Sequence, residues 1–247
     1  MLSWRWTHWF AERWVLSVAC CSTRCKDGYA TNSRVTGSAA GDFRAGDEVY
    51  ASNVRDLGGR VDLYWRPAAR HTLRTGGTVV RKDFLPGSHL LTIVTNTSNY
   101  REDYVAEKVL GVEANAYVED EIKLGEHWEA NIGLHAAGFS VEGTQYFSVQ
   151  PRLSTRYQFN PAIGLKASFV TMQQNVHLLT TNNFEELPLD LWMPTTDEIL
   201  PMQSWQATVG TGGYLGKNYS WTAELYTKHI QNNIAYDDGA LLFDGRN

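Results

Sequence analysis

Residue types that carry enzyme chemistry are present in the sequence, but few stand at spacings that would let them act together. The seven histidines are scattered, and no Gly-x-Ser-x-Gly elbow, His-Glu-x-x-His pair or Walker-type loop occurs. The acidic run 119–121 could form a carboxylate site, but it continues an alternating pattern into a turn, which favours a solvated rim. The glycine-rich stretch 210–213 lacks the helical pattern that follows a phosphate-binding loop. We therefore expect no catalytic residue, no cofactor and a protein that is not an enzyme.

Residues that bind metals are also poorly arranged for that purpose. Cys20, Cys21 and Cys25 stand close together and have no later cysteine to pair with. A structural zinc site usually takes four ligands in two spaced pairs. The acidic turn at 237–239 lacks the ligand series of a calcium loop. The sequence predicts neither a metal site nor a disulfide framework.

Three residues of one long irregular stretch, 175–202, are candidates for ligand contact. His177 stands where a strand pattern meets this stretch and could touch a ligand; the alternative is an ordinary polar residue at a rim. Trp192 could stack on a sugar or another flat molecule, or it could pack the loop onto the protein itself. Asp190, two positions earlier, is the third candidate.

The elements that must position these residues are strands with two unlike faces. From Ser148 to Phe159, polar and mainly apolar side chains alternate without interruption. Alternation with a period of two predicts a β-strand, and similar patterns recur in the segments 60–66, 128–136 and 221–228. Several of these segments span about 10–12 residues, close to the ~9–11 that a tilted membrane-crossing strand requires.

Between these segments, short and long interruptions of the strand pattern alternate along the chain. A meander barrel of an outer membrane has this rhythm, with short periplasmic turns at one rim and longer loops at the other. The short breaks are 11–13, 66–69, 125–127, 160–161 and 216–218; the long stretches are 25–47, 85–103, 140–146, 175–202 and 232 onward. We therefore predict an all-β fold, an antiparallel meander of about ten strands in five hairpins.

Composition narrows the class of protein further. Hydrophobic residues make up 43% of the 247 residues and charged residues only 20%, which excludes a disordered chain. The net charge of −5 argues against a nucleic-acid partner. No run approaches the ~18 consecutive apolar residues of a transmembrane helix, so a membrane location would require a barrel.

Several segments then resemble one family, the TonB-dependent outer-membrane receptors, particularly those of the Bacteroidetes type. The resemblance covers roughly residues 50–245 and rests on segments in the family's order. These are NAYVEDEIKLG at 115–125, YFSVQPRLS at 146–154, QNVHLL at 174–179, LPLDLWMP at 187–194, PMQSWQ at 201–206, AELYTK at 223–228 and YDDGA at 236–240.

This resemblance implies a 22-stranded barrel filled by an N-terminal plug, of which ten strands are less than half. The first ten residues alternate tryptophan with polar residues and lack the apolar run of a secretory signal. We therefore expect residues 1–247 to be one partial barrel domain, an incomplete segment of a transmembrane β-barrel, with the plug and the barrel ends absent.

The resemblance also implies a function in the bacterial outer membrane. The parent protein would import a nutrient such as a siderophore, vitamin, peptide or glycan, and its plug would contact the TonB complex. The loops 85–103 and 175–202, with His177, Asp190 and Trp192, would contact this ligand, and outer-membrane lipid would surround the barrel. Two alternatives remain open at this point: a passive porin-like channel, and a soluble carbohydrate-binding β-sandwich with exposed Trp and Tyr.

Overall fold

The computed structural model consists almost entirely of antiparallel strands. It describes residues 2–10, 13–36, 43–95, 98–105, 107–180, 190–216 and 218–235. Among these residues no helix is long and apolar enough to cross a membrane. The strands are β1 Leu2–Phe10, β2 Trp14–Thr36, β3 Phe43–Ala68, β4 His71–Thr95, β5 Asn99–Val105, β6 Val109–Lys123, β7 Trp128–Val141, β8 Thr144–Asn160, β9 Ile163–Gln174, β10 Val176–Thr180, β11 Asp190–Pro194, β12 Met202–Leu215 and β13 Tyr219–Gln231.

Ten of these strands follow one another across a single sheet in the order β1-β2-β3-β4-β6-β7-β8-β9-β12-β13. The short strand β5 pairs with the outer part of β4, and β10 and β11 form a separate two-stranded sheet. Consecutive strands pair because short connections favour antiparallel neighbours. The predicted antiparallel meander of about ten strands is confirmed, and the five predicted hairpins are β1–β2, β3–β4, β6–β7, β8–β9 and β12–β13.

The two faces of the sheet have the opposite exposure from those of a soluble protein. On β8 the apolar residues are the exposed ones: Phe147 is 73% exposed, Val149 52% and Leu153 47%. On the polar face, Gln150 is only 8% exposed. In a soluble sheet the apolar face would be the covered one, whereas a membrane barrel turns it towards lipid. We therefore call the apolar face outward and the polar face inward.

Aromatic side chains collect on the outward face at the rim with the tight turns. Trp14 and Trp65, directly opposite each other on β2 and β3, stack with ring centroids 4.6 Å apart. Trp128 lies opposite Tyr157 and donates its indole N–H to Thr155 Oγ1 at 2.7 Å. Rings with a polar edge suit the boundary between lipid and water, and such girdles flank the apolar band of membrane barrels.

At the opposite rim, two stretches that we expected to be long loops are strands. Most of 25–47 belongs to β2, which runs to Thr36, and to β3, which begins at Phe43. Most of 85–103 belongs to the ends of β4 and β5. The expectation was wrong because these hairpins continue beyond the ~9–11 residues that cross a membrane. Beyond the membrane the outward face no longer meets lipid, so the apolar–polar alternation that identifies a strand is lost.

The stretch 140–146, also expected to be a long loop, is a tight hairpin instead. β7 ends at Val141 and β8 begins at Thr144, so only Glu142 and Gly143 connect them. Both have positive φ, 47° and 86°, as a two-residue turn of type I′ requires. Glutamate is an unusual residue for the first of these positions, so the turn was hard to predict from local residues.

The sheet remains open within the described residues. β1 and β13 occupy its two ends and do not pair with each other. Each has one neighbour only, β2 and β12 respectively. Membrane strands need both edges paired, since lipid offers no hydrogen-bonding partner. The described strands therefore form part of a barrel wall, as predicted.

The outward face yields a direct test at the middle of β8. Replacing Leu153 by Arg should lower the free energy of unfolding by about 2–4 kcal/mol, because it places a charge in the centre of the apolar band. The neighbouring change Ser154→Arg, on the inward face opposite Asn131 and Ser168, should cost less than 1 kcal/mol because the arginine meets water. Urea titration of the protein folded into phospholipid vesicles measures both. Equal losses for the two variants would contradict the assignment of the faces.

Candidate functional site

The stretch 175–202 forms a hairpin that lies against the outer part of the barrel wall. β10 and β11 pair antiparallel, with Val176 opposite Pro194 and Thr180 opposite Asp190. β11 packs against β3 and β4 of the main sheet. The segment 181–189 between the two strands lies outside the described residues. The long loop predicted here is thus a hairpin that returns to the wall.

Close to this hairpin the inward face becomes apolar and buried. Phe84 of β4 and Phe139 of β7 are 0% and 2% exposed. They meet over Gly111 of β6, where a Cβ would come within 2.9 Å of the Phe139 ring and 3.4 Å of the Phe84 ring. Glycine at this position lets the two rings lie against the backbone. The outer end of the wall therefore has a small apolar core of its own, which includes Tyr50, Val141 and Leu179.

His177 belongs to the buried base of the hairpin. Its side chain is 3% exposed, and Nε2 lies 3.4 Å from Oγ1 of Thr195, which is fully buried. The Thr195 N–H in turn donates to the carbonyl of Asn175 at 2.9 Å. Burial lowers the pKa of His177, and a hydrogen bond with the backbone of Leu200 opposes this in part. These contacts join the two ends of the hairpin.

Asp190 and Trp192 lie on the second strand of the hairpin. The backbone of Asp190 pairs with Thr180 at the start of β11. Trp192 lies opposite Leu178 and is partly exposed. Its side chain lines a cleft of about 510 Å³ between the hairpin and the wall. We call this space the hairpin cleft; its other lining residues are Lys82, Glu113, Gln150, Arg152, Met172, Gln173, Gln174, Asn175, Val176, Met202, Ser204, Lys228 and Ile230.

The hairpin cleft contains charged groups that are only partly neutralised. Lys82 is 15% exposed and lies between two carboxylates, 3.1 Å from Asp56 Oδ2 and 3.7 Å from Glu113 Oε2. Arg152 Nε and Asp56 Oδ1 are buried and have no hydrogen-bond partner among the described residues. Buried polar atoms without a partner are costly, so a bound molecule or water that reached them would be stabilised.

Below the cleft, the inward face continues as a network of ion pairs. Asp62 accepts from Arg60 Nε at 2.7 Å and from the Tyr117 hydroxyl at 2.6 Å. His135 Nε2 lies 2.9 Å from Glu119 Oε1, and its ring stacks on Tyr117. A second space of about 580 Å³ on the inward face is lined by Arg60, Tyr117, Glu119 and His135 of this network, together with Gln150 and Arg152. The cleft is thus continuous with a polar inner wall.

Sequence reasoning missed this network. It interpreted the run 119–121 as a solvated rim, whereas Glu119 and Asp120 are half-buried and paired, Asp120 with His71 on the outward face at 2.7 Å. The partners are 16 and 49 positions away in the chain, so only the strand register brings them together. The other predicted ligand stretch, 85–103, contributes no residue to the hairpin cleft as described.

The chemistry of the cleft is that of binding. It combines an aromatic ring, three cations and a carboxylate with several amide side chains, a set that can hold a polar molecule with a flat part. No group of three or more His, Cys, Asp or Glu that could hold a metal occurs in the described part of the chain.

Comparison with known proteins agrees with this architecture. The family model described as TonB dependent receptor-like, beta-barrel matches residues 1–246. No curated protein sequence matches the chain.

Among solved structures, the chain is similar to the ferripyoverdine receptor of the outer membrane of Pseudomonas aeruginosa, with 11% identity, a TM-score of 0.63 and coverage of 93% of this chain and 32% of that one. It is also similar to the ferric preacinetobactin receptor BauA from Acinetobacter baumannii, at 10% identity and TM-score 0.56, covering 90% and 36%. A third is the RagAB peptide importer, at 9% identity and TM-score 0.61, covering 92% and 29%.

The structural similarity establishes a shared fold, and the chain spans about a third of the length of each of these structures. The family match extends over almost all of the chain, beyond the roughly 50–245 that the sequence resemblance covers. It decides against the soluble β-sandwich and the simple porin. The chain belongs to the TonB-dependent receptor family and forms part of its outer-membrane β-barrel.

Proposed function

We propose that the complete protein is a receptor that imports a nutrient across the bacterial outer membrane in a TonB-dependent manner, and that it has no enzymatic activity. The hairpin cleft is the part of this chain that contacts the ligand. One observation carries this assignment: Trp192 of the inward-packed hairpin shares a cleft with Lys82 and with Arg152, whose Nε has no described partner.

The ligand belongs to the nutrient classes that such receptors take up: a siderophore, a vitamin, a peptide or a glycan. Two similar structures support this range, since one is a receptor bound to ferripyoverdine and another is a peptide importer. The importer also supports the resemblance to the Bacteroidetes type. Within the cleft, Trp192 stacks on a flat part of the ligand, while Arg152 holds an anionic or carbonyl oxygen.

The three candidate residues have different roles in this proposal. Trp192 touches the ligand directly. His177 holds the base of the hairpin and so positions Trp192, because its imidazole is buried beside Thr195. Asp190, at the start of β11, is the third proposed ligand contact.

Other parts of the receptor are needed for transport. The sheet is open, and the chain spans about a third of the similar structures. We propose that further strands close the barrel, that a plug fills it, and that the plug connects to the TonB complex. Residues 1–247 are then one partial barrel domain and cannot transport alone.

Energy dependence distinguishes this function from passive diffusion. Cells that carry the complete receptor should lose uptake of its ligand, to below about a tenth, when a protonophore dissipates the inner-membrane potential or when TonB is deleted. Radiolabelled ferric siderophores, cobalamin, oligopeptides and oligosaccharides form the panel for this measurement. Uptake that persists unchanged under both treatments would contradict TonB-dependent import.

Replacing Trp192 by Ala should weaken binding of the panel member that the receptor recognises by at least about tenfold, equivalent to ~1.4 kcal/mol. Loss of a stacking surface in a water-excluding cleft is the physical reason. Titration calorimetry on the complete receptor in detergent measures the dissociation constant. The matched control is Trp128→Ala, at the outward aromatic rim, which should leave affinity unchanged. Equal affinity of the Trp192 variant and the unmodified receptor would refute the cleft as the binding site.

Ligand affinity should also fall in mildly acidic solution. Because burial lowers the pKa of His177, the packed hairpin favours neutral imidazole, and an opened hairpin takes up a proton more readily. The packed state therefore keeps its full stability above about pH 6.5 and loses it as the pH falls below that value. Affinity measured from pH 8 to pH 5 should decrease, and the variant His177→Gln should lack this decrease. The same pH profile in both proteins would show that His177 does not cause the loss of affinity at low pH.

A further inference from the structure

A group of basic side chains covers the outward face at the level of the outer rim. Arg24 and Lys26 of β2, Arg55 of β3, Arg81 of β4 and Lys108 just before β6 are all exposed. We call these five residues the outward basic patch. The function proposed above uses none of them, since the ligand lies on the other face of the sheet.

The strand register assigns the patch to the outward face. Arg24 lies directly opposite Arg55, and directly opposite residues in a sheet share a face. Arg55 in turn lies opposite Asp83, and Leu57 opposite Arg81. Lys108 joins the group through its contact with Asp83. The next residue of β4, Lys82, points the other way and pairs with Asp56 and Glu113 at the hairpin cleft.

The height of the patch corresponds to one boundary of the membrane. Arg24 and Arg55 stand about ten residues along their strands from Trp14 and Trp65, the stacked pair of the opposite rim. At about 3.3 Å per residue and a tilt near 40°, ten residues rise roughly 25 Å, which is the height of the apolar band in such barrels. Exposed apolar side chains fill the interval, among them Leu57, Val61, Val79 and Val112. The cations therefore stand where lipid headgroups begin.

Within the patch, positive charge is far from balanced. Among the outward positions of these strands at this level, Asp83 is the single described acid, and Arg81 and Lys108 already contact it, both at 3.2 Å. Neither Lys26 nor Arg55 has an ion pair with a described residue. Like charges directly opposite each other, as in Arg24 and Arg55, destabilise a sheet unless an anion lies between them.

A second pair of directly opposite cations in the same protein has its counter-charge within the chain. Arg156 and Lys166 are also directly opposite each other, on the inward face of β8 and β9. There Lys166 forms an ion pair with Glu224 of β13, so the chain supplies the counter-charge itself. For Arg24 and Arg55 the described chain supplies none, and the counter-charge must come from outside.

We propose that the outward basic patch binds the phosphate groups of phosphorylated glycolipids in the outer leaflet of the outer membrane. Arginine pairs suit this role because a guanidinium forms bidentate hydrogen bonds with phosphate oxygens. The acyl chains of the same lipid would cover the exposed apolar residues below the patch. The patch thus fixes the height of this side of the barrel in the membrane.

Native mass spectrometry of the complete receptor in neutral detergent tests the proposal with lipid A as the probe. Bisphosphorylated lipid A should bind at least about tenfold more tightly than the same lipid after enzymatic removal of both phosphates. The double variant Arg24→Gln/Arg55→Gln should lose most of that preference. The matched control Arg156→Gln/Lys166→Gln removes the same charge from the inward face and should keep it.

Each outcome bears on the proposal. Equal binding of the two lipids to the unmodified chain would overturn it, as would equal loss of preference in both double variants. If the Arg24/Arg55 variant does not fold, the comparison of the two lipids on the unmodified protein still decides. Raising the salt concentration should then weaken the binding of bisphosphorylated lipid A. None of these results depends on nutrient uptake. A negative lipid-binding result therefore does not affect the proposed import function, and a negative uptake result does not affect the proposed lipid site.

Discussion

The structure depends on one constraint: strands that cross a lipid phase must satisfy every backbone group on neighbouring strands and turn apolar side chains away from the sheet's polar face. This inverts the usual arrangement of a β-protein. Phe147, Val149 and Leu153 are exposed while Gln150 is buried. An exposed apolar wall of this extent would cause aggregation in water, but lipid makes it the favourable arrangement.

The same inversion creates the functional surfaces. Because apolar side chains occupy the outward face, the polar residues of every strand converge on the inward face, where Arg60, Asp62 and Tyr117 form a connected network. The hairpin of β10 and β11 then covers the outer end of this face and encloses Trp192 with the charged wall. At the outward boundary of the apolar band, Lys26 and Arg55 have no ion pair with a described residue, and lipid phosphate is the counter-charge that we propose for them.

Much of the fold was predictable because membrane strands follow a strict period of two over about ten residues. The tight turns at 125–127, 160–161 and 216–218 were located from local residues, and the ten-strand meander followed. The strands beyond the membrane were missed because their outward face no longer meets lipid, which removes the apolar–polar alternation. The Glu142-Gly143 turn lacked a typical sequence. The contents of the cleft were also missed, because Lys82, Glu113 and Arg152 meet only through register, and no local motif joins them.

Two adjacent cysteines provide the most direct test of the inverted faces. Cys20 points outward and is exposed, whereas Cys21 points inward and is only partly exposed. In single-cysteine variants of the membrane-embedded protein, a charged maleimide that cannot enter lipid should react with Cys21 at least about tenfold faster than with Cys20, because thiolate forms only in contact with water. If both faces met water, the more exposed Cys20 would react faster than Cys21. That result would contradict the assignment of the chain to a membrane barrel.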